Sequence, residues 1–357
     1  MSDKPKFNRQ EKTYLWQLDD FPHFYHNPVA IAPLEKKFIA AFRKLVKSFP
    51  LRNQDFDDLF TEEIIANSKI EGIKLDRESV HSSFVKNIVP AKEKEQGAVE
   101  LMKMCLEHCD KPLSHQRIKS MHKVILKGSA FPEESIGNYV GDMKIISGNE
   151  LYHEYEIVHE GAPKELVVKK MTEFITWFNH CKPSTPLTNA IQGHIHFETL
   201  HPFCDGNGRI GRSIILMGLC RDFKIKSPLA VSRAFGNNIN DYYSQFRSGL
   251  DLTEIIKKLQ PIFIQAIEET EHILSTTSMR HKVYQLEAKL NPRQLKVMNR
   301  LIDYELKDGF QGGLTNSKYQ KMAKVSDRTA LRDLEGLTKL KLLTKEGEKK
   351  ASRYYLR

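Results

Sequence analysis

The sequence predicts a mainly α-helical protein with one short β-hairpin, ending in a three-helix module closed by a two-stranded wing, a winged helix-turn-helix. Three observations predict it. Apolar residues recur at helical spacing in segment after segment between residues 33 and 278. Only Tyr139 to Val158 breaks that pattern, with short β-like runs around Gly148-Asn149. From Asn291 onward the chain turns basic, with 16 Lys/Arg against 8 Asp/Glu, a net of +8 out of +10 for the whole chain.

In chain order, residues 13 to 28 are aromatic-rich and irregular and read as a packing arm. Pro33 to Phe49 reads as an amphipathic helix opened by proline. Helical periodicity continues over Phe56–Ile70, Val80–Ile88, Glu93–His108 and His115–Lys127. Lys144–Ser147 and Tyr155–Val158 are the expected strands of the hairpin. Helices resume at Lys164–Cys181 and Leu187–Leu200, and Thr253–Ser278 closes the bundle. In the basic module, Pro292–Glu305, Asn316–Lys324 and Asp327–Lys339 read as helices. Lys341–Thr344 and Ser352–Leu356 bracket a polar turn as the wing. The expected domains are 1–110, 111–280 and 285–357.

With 357 residues, the chain can build two or three cores. No apolar run approaches membrane-spanning length, and Met1-Ser2-Asp3-Lys4 begins no apolar signal core. Five scattered cysteines fit free thiols, and a cytoplasmic location is expected. Cys105 and Cys109 share a helix face with His108 nearby, but two further zinc ligands are not evident, which favours core thiols.

The chemistry concentrates in His201-Pro202-Phe203-Cys204-Asp205-Gly206-Asn207-Gly208-Arg209-Ile210-Gly211-Arg212. The apolar run Ile214–Leu219 follows at once, placing this turn at a helix N-terminus, where unpaired N–H groups and the macrodipole favour an anion. Gly206 and Gly208 permit positive φ and close approach to a phosphate. Asn207 adds a neutral donor, and Arg209 adds a planar cationic fork. Arg212 lies three residues on, on the same face, where two cations call for an anionic guest such as a polyphosphate. Asp205 is a hard oxygen ligand suited to Mg²⁺. His201 is a base whose ordinary pKa suits proton transfer near neutrality. Together these types point to phosphoryl or nucleotidyl transfer to a hydroxyl.

The segment resembles, at every fixed position, the signature of the Fic (Fido) family, His-Pro-Phe-x-Asp-Gly-Asn-Gly-Arg-x-x-Arg. His196–Leu200 and Ser232–Tyr243 resemble the flanking family segments, although Ala234 and Ile239 depart from the usual pattern while Asn238, Tyr242 and Tyr243 keep it. The resemblance spans about residues 60 to 270. It implies a Fic-type helical bundle whose β-hairpin flap lines a groove for the target's backbone, and a protein adenylyltransferase using ATP with Mg²⁺ or Mn²⁺. His201 would accept the proton of a target Ser, Thr or Tyr. Asp205 would hold the metal. Gly206, Asn207, Gly208 and Arg209 would receive the α- and β-phosphates, and Arg212 the γ-phosphate. Asn238, Tyr242 and Tyr243 would belong to the nucleoside pocket. The implied partners are a protein substrate, the chain itself by auto-modification, and a second copy in a homodimer.

Upstream, Ile64–Ile73 has helical spacing and ends in Glu71-Gly72, with Gly72 as a helix-terminating residue. Glu71 opposes the helix dipole and calls for a cationic partner. The segment is similar to the family's inhibitory motif, Ser/Thr-x-x-x-Glu-Gly/Asn, with Asn67 in the Ser/Thr position. The resemblance implies that Glu71 pairs with Arg212 and so denies it to the γ-phosphate.

Two further functions stay open on the sequence. One is removal of AMP on the same fold. The other is a DNA-binding regulator whose nucleotide-sensing domain serves a C-terminal reader helix carrying Arg328 and Arg332. Asp327, Asp333 and Glu335 oppose a surface committed to DNA.

Overall fold

The computed structural model describes residues 13–49, 56–83, 92–149, 154–244, 249–310, 312–348 and 351–357. The chain is mainly helical. It divides into two compact units, Met1–Lys44 with Glu63–Ala266, and Leu45–Glu62 with Ile267–Arg357. Residues on both sides of position 110 lie in the first unit, while 45–62 and everything from Ile267 onward fall in the second.

Helix α1, Pro28–Ser48, begins one turn earlier than the sequence suggests, with Pro33 inside it. The Asn27 side chain accepts the N–H groups of Val29 and Ala30, so the cap precedes Pro28. Helix α2, Asp57–Ile70, follows, and Gly72 ends its trailing turn at φ 72°. Helix α3, Arg77–Ser82, is shorter than expected, and the rest of the expected Val80–Ile88 helix lies largely outside the described residues. Helices α4, Glu93–Glu107, and α5, His115–Ile125, precede the hairpin. Cys105 and Cys109 are buried, and burial pushes the Cys105 thiol up to about 12.

Strands β1, Lys144–Asn149, and β2, Glu154–Glu160, pair antiparallel, with a bulge at Ile145/Ile146. Gly148 and Asn149 pair with Tyr155 and Glu154 inside the ladder, where the sequence suggests a separating turn. The N-terminal arm is tied here, with Trp16 Nε1 donating to the Glu160 carbonyl at 2.7 Å.

Helix α6, Lys164–His180, packs beside α7, Pro186–Leu200, which packs along α8, Asn207–Phe223. The buried Glu35 carboxylate accepts the N–H groups of Leu187 and Thr188, capping α7 with the charge its positive end favours. His196 sits among Phe21, Phe24, Phe174 and Trp177 and is a core residue. Helices α9, Val231–Asn237, and α10, Ile239–Ser244, lead to the long α11, Thr253–Gln285. No helix among the described residues is long and apolar enough to cross a membrane.

In the second unit, α12, Pro292–Asp308, α13, Asn316–Ala323, and α14, Asp327–Lys339, precede antiparallel strands β3, Leu343–Glu346, and β4, Arg353–Leu356. Leu314 adds a bridge to Tyr354.

Candidate functional site

The turn between α7 and α8 carries the site. His201 ends α7 in a left-handed conformation, φ 43°, and Gly206 opens α8 at φ 76°, a value that costs glycine no Cβ clash. Gly208 differs from the expectation of positive φ. It is helical, and its role is space, since a Cβ there would meet the Glu71 carboxylate and Arg212. Asn207 also departs from its expected donor role. Its side chain is buried and closed onto Phe203, accepting the backbone N–H at 3.0 Å and donating to the carbonyl at 2.8 Å. It staples the turn, leaving only its backbone N–H for an anion.

Arg209 is buried; its Nη2 donates to Asp205 at 3.0 Å, and its Nε has no hydrogen-bond partner. A buried guanidinium N–H left unpaired beside a helix N-terminus fits an anionic guest. Burial lowers the Arg209 pKa from its ordinary value. The Asp205 side chain keeps 45% of its surface exposed. No group of three His, Cys, Asp or Glu suited to a metal occurs among the described residues. One open carboxylate beside a phosphate cradle nonetheless fits Mg²⁺, which takes few protein ligands and shares substrate phosphates.

Arg212 is buried and held from three sides. Its Nε donates to Asn67 Oδ1 at 2.7 Å and its Nη1 to the Tyr242 hydroxyl at 2.9 Å. Its Nη2 donates to the Asn67 carbonyl at 3.0 Å and to Glu71 Oε1 at 2.7 Å. Burial alone would lower the Arg212 pKa, but Tyr242 and Glu71 outweigh it and hold the group above its ordinary value. Asn67 Nδ2 also reaches the Arg209 carbonyl at 3.2 Å, which fastens α2 to α8.

His201 is mostly buried, and burial, with His159 adding to it, lowers its pKa to about 3, so the imidazole is neutral at ordinary pH. Its Nδ1 lies 3.8 Å from Glu198 Oε2, beyond hydrogen-bond reach. Burial raises the Glu198 pKa to about 8, against the lowering effect of Arg212.

The structure thus brings together Glu71, His201, Asp205, Gly206, Asn207, Gly208, Arg209 and Arg212. The expected nucleoside residues behave differently. Tyr242 is buried behind Arg212, and its hydroxyl also meets His194 Nε2 at 3.1 Å. The Asn238 amide donates to the Ala234 carbonyl and to Gln265, fixing the α9–α10 corner. Tyr243 is half-exposed against Tyr242. The cavity in this region, ≈ 250 Å³, is lined by Ala66, Lys69 and Ile70 of α2 and by Ser232, Gly236 and Ile239 among others. Sequence reasoning assigned no role to Glu198 or to the buried Glu63, which accepts the Ser232 N–H and hydroxyl. Glu198 is the one carboxylate of α7, which is the available signal, whereas Glu63 follows Glu62 and gives none.

Comparison with known proteins gives two family matches. Residues 112–219 match the Fic/DOC family, and residues 14–88 match a domain of unknown function, DUF4172. A Fic family protein from Desulfovibrio desulfuricans G20 shares the fold, with TM-score 0.56 and 19% identity over 94% of this chain and 98% of its own. A Fic domain-containing signaling protein from Bacteroides thetaiotaomicron VPI-5482 gives TM-score 0.48 at 18% identity, covering 68% and 96% of the two chains. Fic-1 from C. elegans gives 0.49 at 15%, covering 68% and 73%. Fic domains generally transfer nucleoside monophosphates to proteins. The stretch that carries the site, residues 112–219, is thus similar to the Fic/DOC family.

Proposed function

We propose that the protein transfers AMP from ATP to a Ser, Thr or Tyr hydroxyl of a protein, and that Glu71 holds it inactive. The observation that carries this reading is the carboxylate already resting at the α8 N-terminus, 2.7 Å from Arg212 and against Gly208. An anion of the protein's own sits where a terminal phosphate would pair with Arg212.

In this reading the neutral His201 accepts the proton as the target oxygen bonds to the α-phosphorus. The bond from that phosphorus to the α,β-bridging oxygen breaks, and pyrophosphate leaves. Backbone N–H groups of the Gly206–Gly208 turn and the Arg209 guanidinium take up charge on the phosphates. Asp205 would hold Mg²⁺, which when bound supplies further charge neutralisation. Removing the Glu71 carboxylate frees one face of Arg212 and turns the α-phosphorus toward the hydroxyl.

The test is Glu71→Gly protein incubated with ATP labelled either at the α- or at the γ-phosphate. Protein label from the α position alone supports the reading. Label from the γ position would make the reaction phosphoryl transfer. Release of AMP from a modified target without incorporation would favour AMP removal.

A further inference from the structure

The basic C-terminal module is untouched by the chemistry above, and its helix α14 presents two contrasting stripes. Ala330, Asp333, Leu334 and Leu337 are buried, whereas Arg328, Leu331, Arg332 and Glu335, at the same spacing, form the exposed face. In sequence, Asp333 counts against an anionic partner. In the structure it is an internal group, accepting hydrogen bonds from Asn291 Nδ2 at 3.0 Å, Arg293 Nε at 3.0 Å and the Tyr319 hydroxyl at 3.2 Å. Asp327 is likewise turned toward α13, accepting Gln320 Nε2 at 3.2 Å. Arg328 and Arg332 have no acidic partner among the described residues, nor have the exposed Lys321 and Lys324 in the α13–α14 corner or Lys345 on the wing. The exposed face is therefore more cationic than the composition of the helix suggests.

We propose that this module binds duplex DNA, with α14 in the major groove and the β3–β4 wing against the backbone. Three observations converge on that occupant. Arg328 lies in the first turn of α14 and Arg332 one turn later on the same face, the part of a reader helix that reaches base edges. Guanidinium forks suit guanine edges and phosphates alike. The flanking lysines supply the sequence-independent attraction. Leu331, exposed between the arginines, is an apolar contact of the kind a thymine methyl accepts. Duplex RNA is disfavoured because its major groove is too narrow to admit a helix.

The test is fluorescence anisotropy of a labelled, mixed-sequence DNA duplex of about 20 base pairs, titrated with the full chain from about 50 mM salt upward. The proposal expects binding whose logarithm falls linearly with the logarithm of salt. Arg328→Ala/Arg332→Ala should weaken binding at least about tenfold, as expected for two lost base-edge contacts. Lys36→Ala/Lys37→Ala removes the same charge from exposed positions on α1 and should change nothing. Circular dichroism confirms that both variants fold. No binding at about 50 mM salt would overturn the proposal. So would equal weakening by the two double variants, which would mean attraction to net charge alone, or tighter binding of a duplex RNA of matching sequence.

Discussion

Asn67 of α2 and Glu71 in the turn that follows it are expected to act on Arg212 with opposite sign. Glu71 occupies Nη2, the nitrogen that the proposed function gives to a terminal phosphate, while Asn67 holds Nε through its side chain and Nη2 through its carbonyl. Glu71→Gly removes one charge-assisted hydrogen bond, worth about 1.5–3 kcal/mol, and leaves Arg212 clamped by Asn67 and Tyr242. At 1.4 kcal/mol per tenfold, the AMP-transfer rate at limiting ATP should rise about ten- to a hundredfold. Adding Asn67→Ala deletes Oδ1 and strands a buried Nε–H, at a cost of about 1–3 kcal/mol. The double variant should therefore lose about tenfold of that gain, as a higher KM for ATP with kcat little changed. Initial rates of labelled-AMP incorporation across an ATP series measure both effects. A double variant as active as Glu71→Gly would refute the positioning role of Asn67, and an unchanged rate in Glu71→Gly would refute inhibition.

Further expectations follow from the same geometry. His201→Ala in the Glu71→Gly background should abolish transfer while calorimetry still detects ATP; retained transfer would remove His201 as the base. Because the His201 pKa is lowered to about 3, kcat/KM should show no inflection near the ordinary histidine value of 6.5; a limb there would mean a solvated imidazole. Stability should peak near pH 6.5. Below it, the unfolded chain protonates His122, His194, His196 and His201, which the folded chain keeps neutral with pKa values of about 4 for the first and about 3 for the others. Glu63 and Glu198, raised to about 8 by burial, oppose this down to about 4.5, leaving a net loss of about 2.7 kcal/mol per pH unit. Above 6.5 the two carboxyls act alone, and stability falls as pH rises through 8. Melting temperatures that climb steadily from pH 5 to 8 would contradict these assignments. Asp205→Ala should lose activity and its response to Mg²⁺ together; full activity would place the metal elsewhere.

The sequence made the local part of this site legible. The His201–Arg212 turn is contiguous, and its helix N-terminus follows from the apolar run after it. The helices were readable because each buries a stripe at its own periodicity. Long-range partners were not legible. Tyr242 was expected at a nucleoside and instead backs Arg212 across 30 residues, and Asn207 spends its side chain on Phe203. Asn67 stood in the sequence only as an imperfect motif residue, yet it makes three hydrogen bonds to α8. Asp333 read as a surface acid because composition cannot say which face of a helix turns inward. Gly148-Asn149 reads as a turn because Gly-Asn is common in turns, yet it is equally compatible with the ladder it occupies.

The most direct test is the intact mass of Glu71→Gly protein after incubation with ATP and Mg²⁺, beside His201→Ala/Glu71→Gly as control. The predicted result is the gain of one AMP in the first protein and none in the second. Gain of phosphate, or of AMP in both proteins, would contradict AMP transfer driven by His201 and restrained by Glu71.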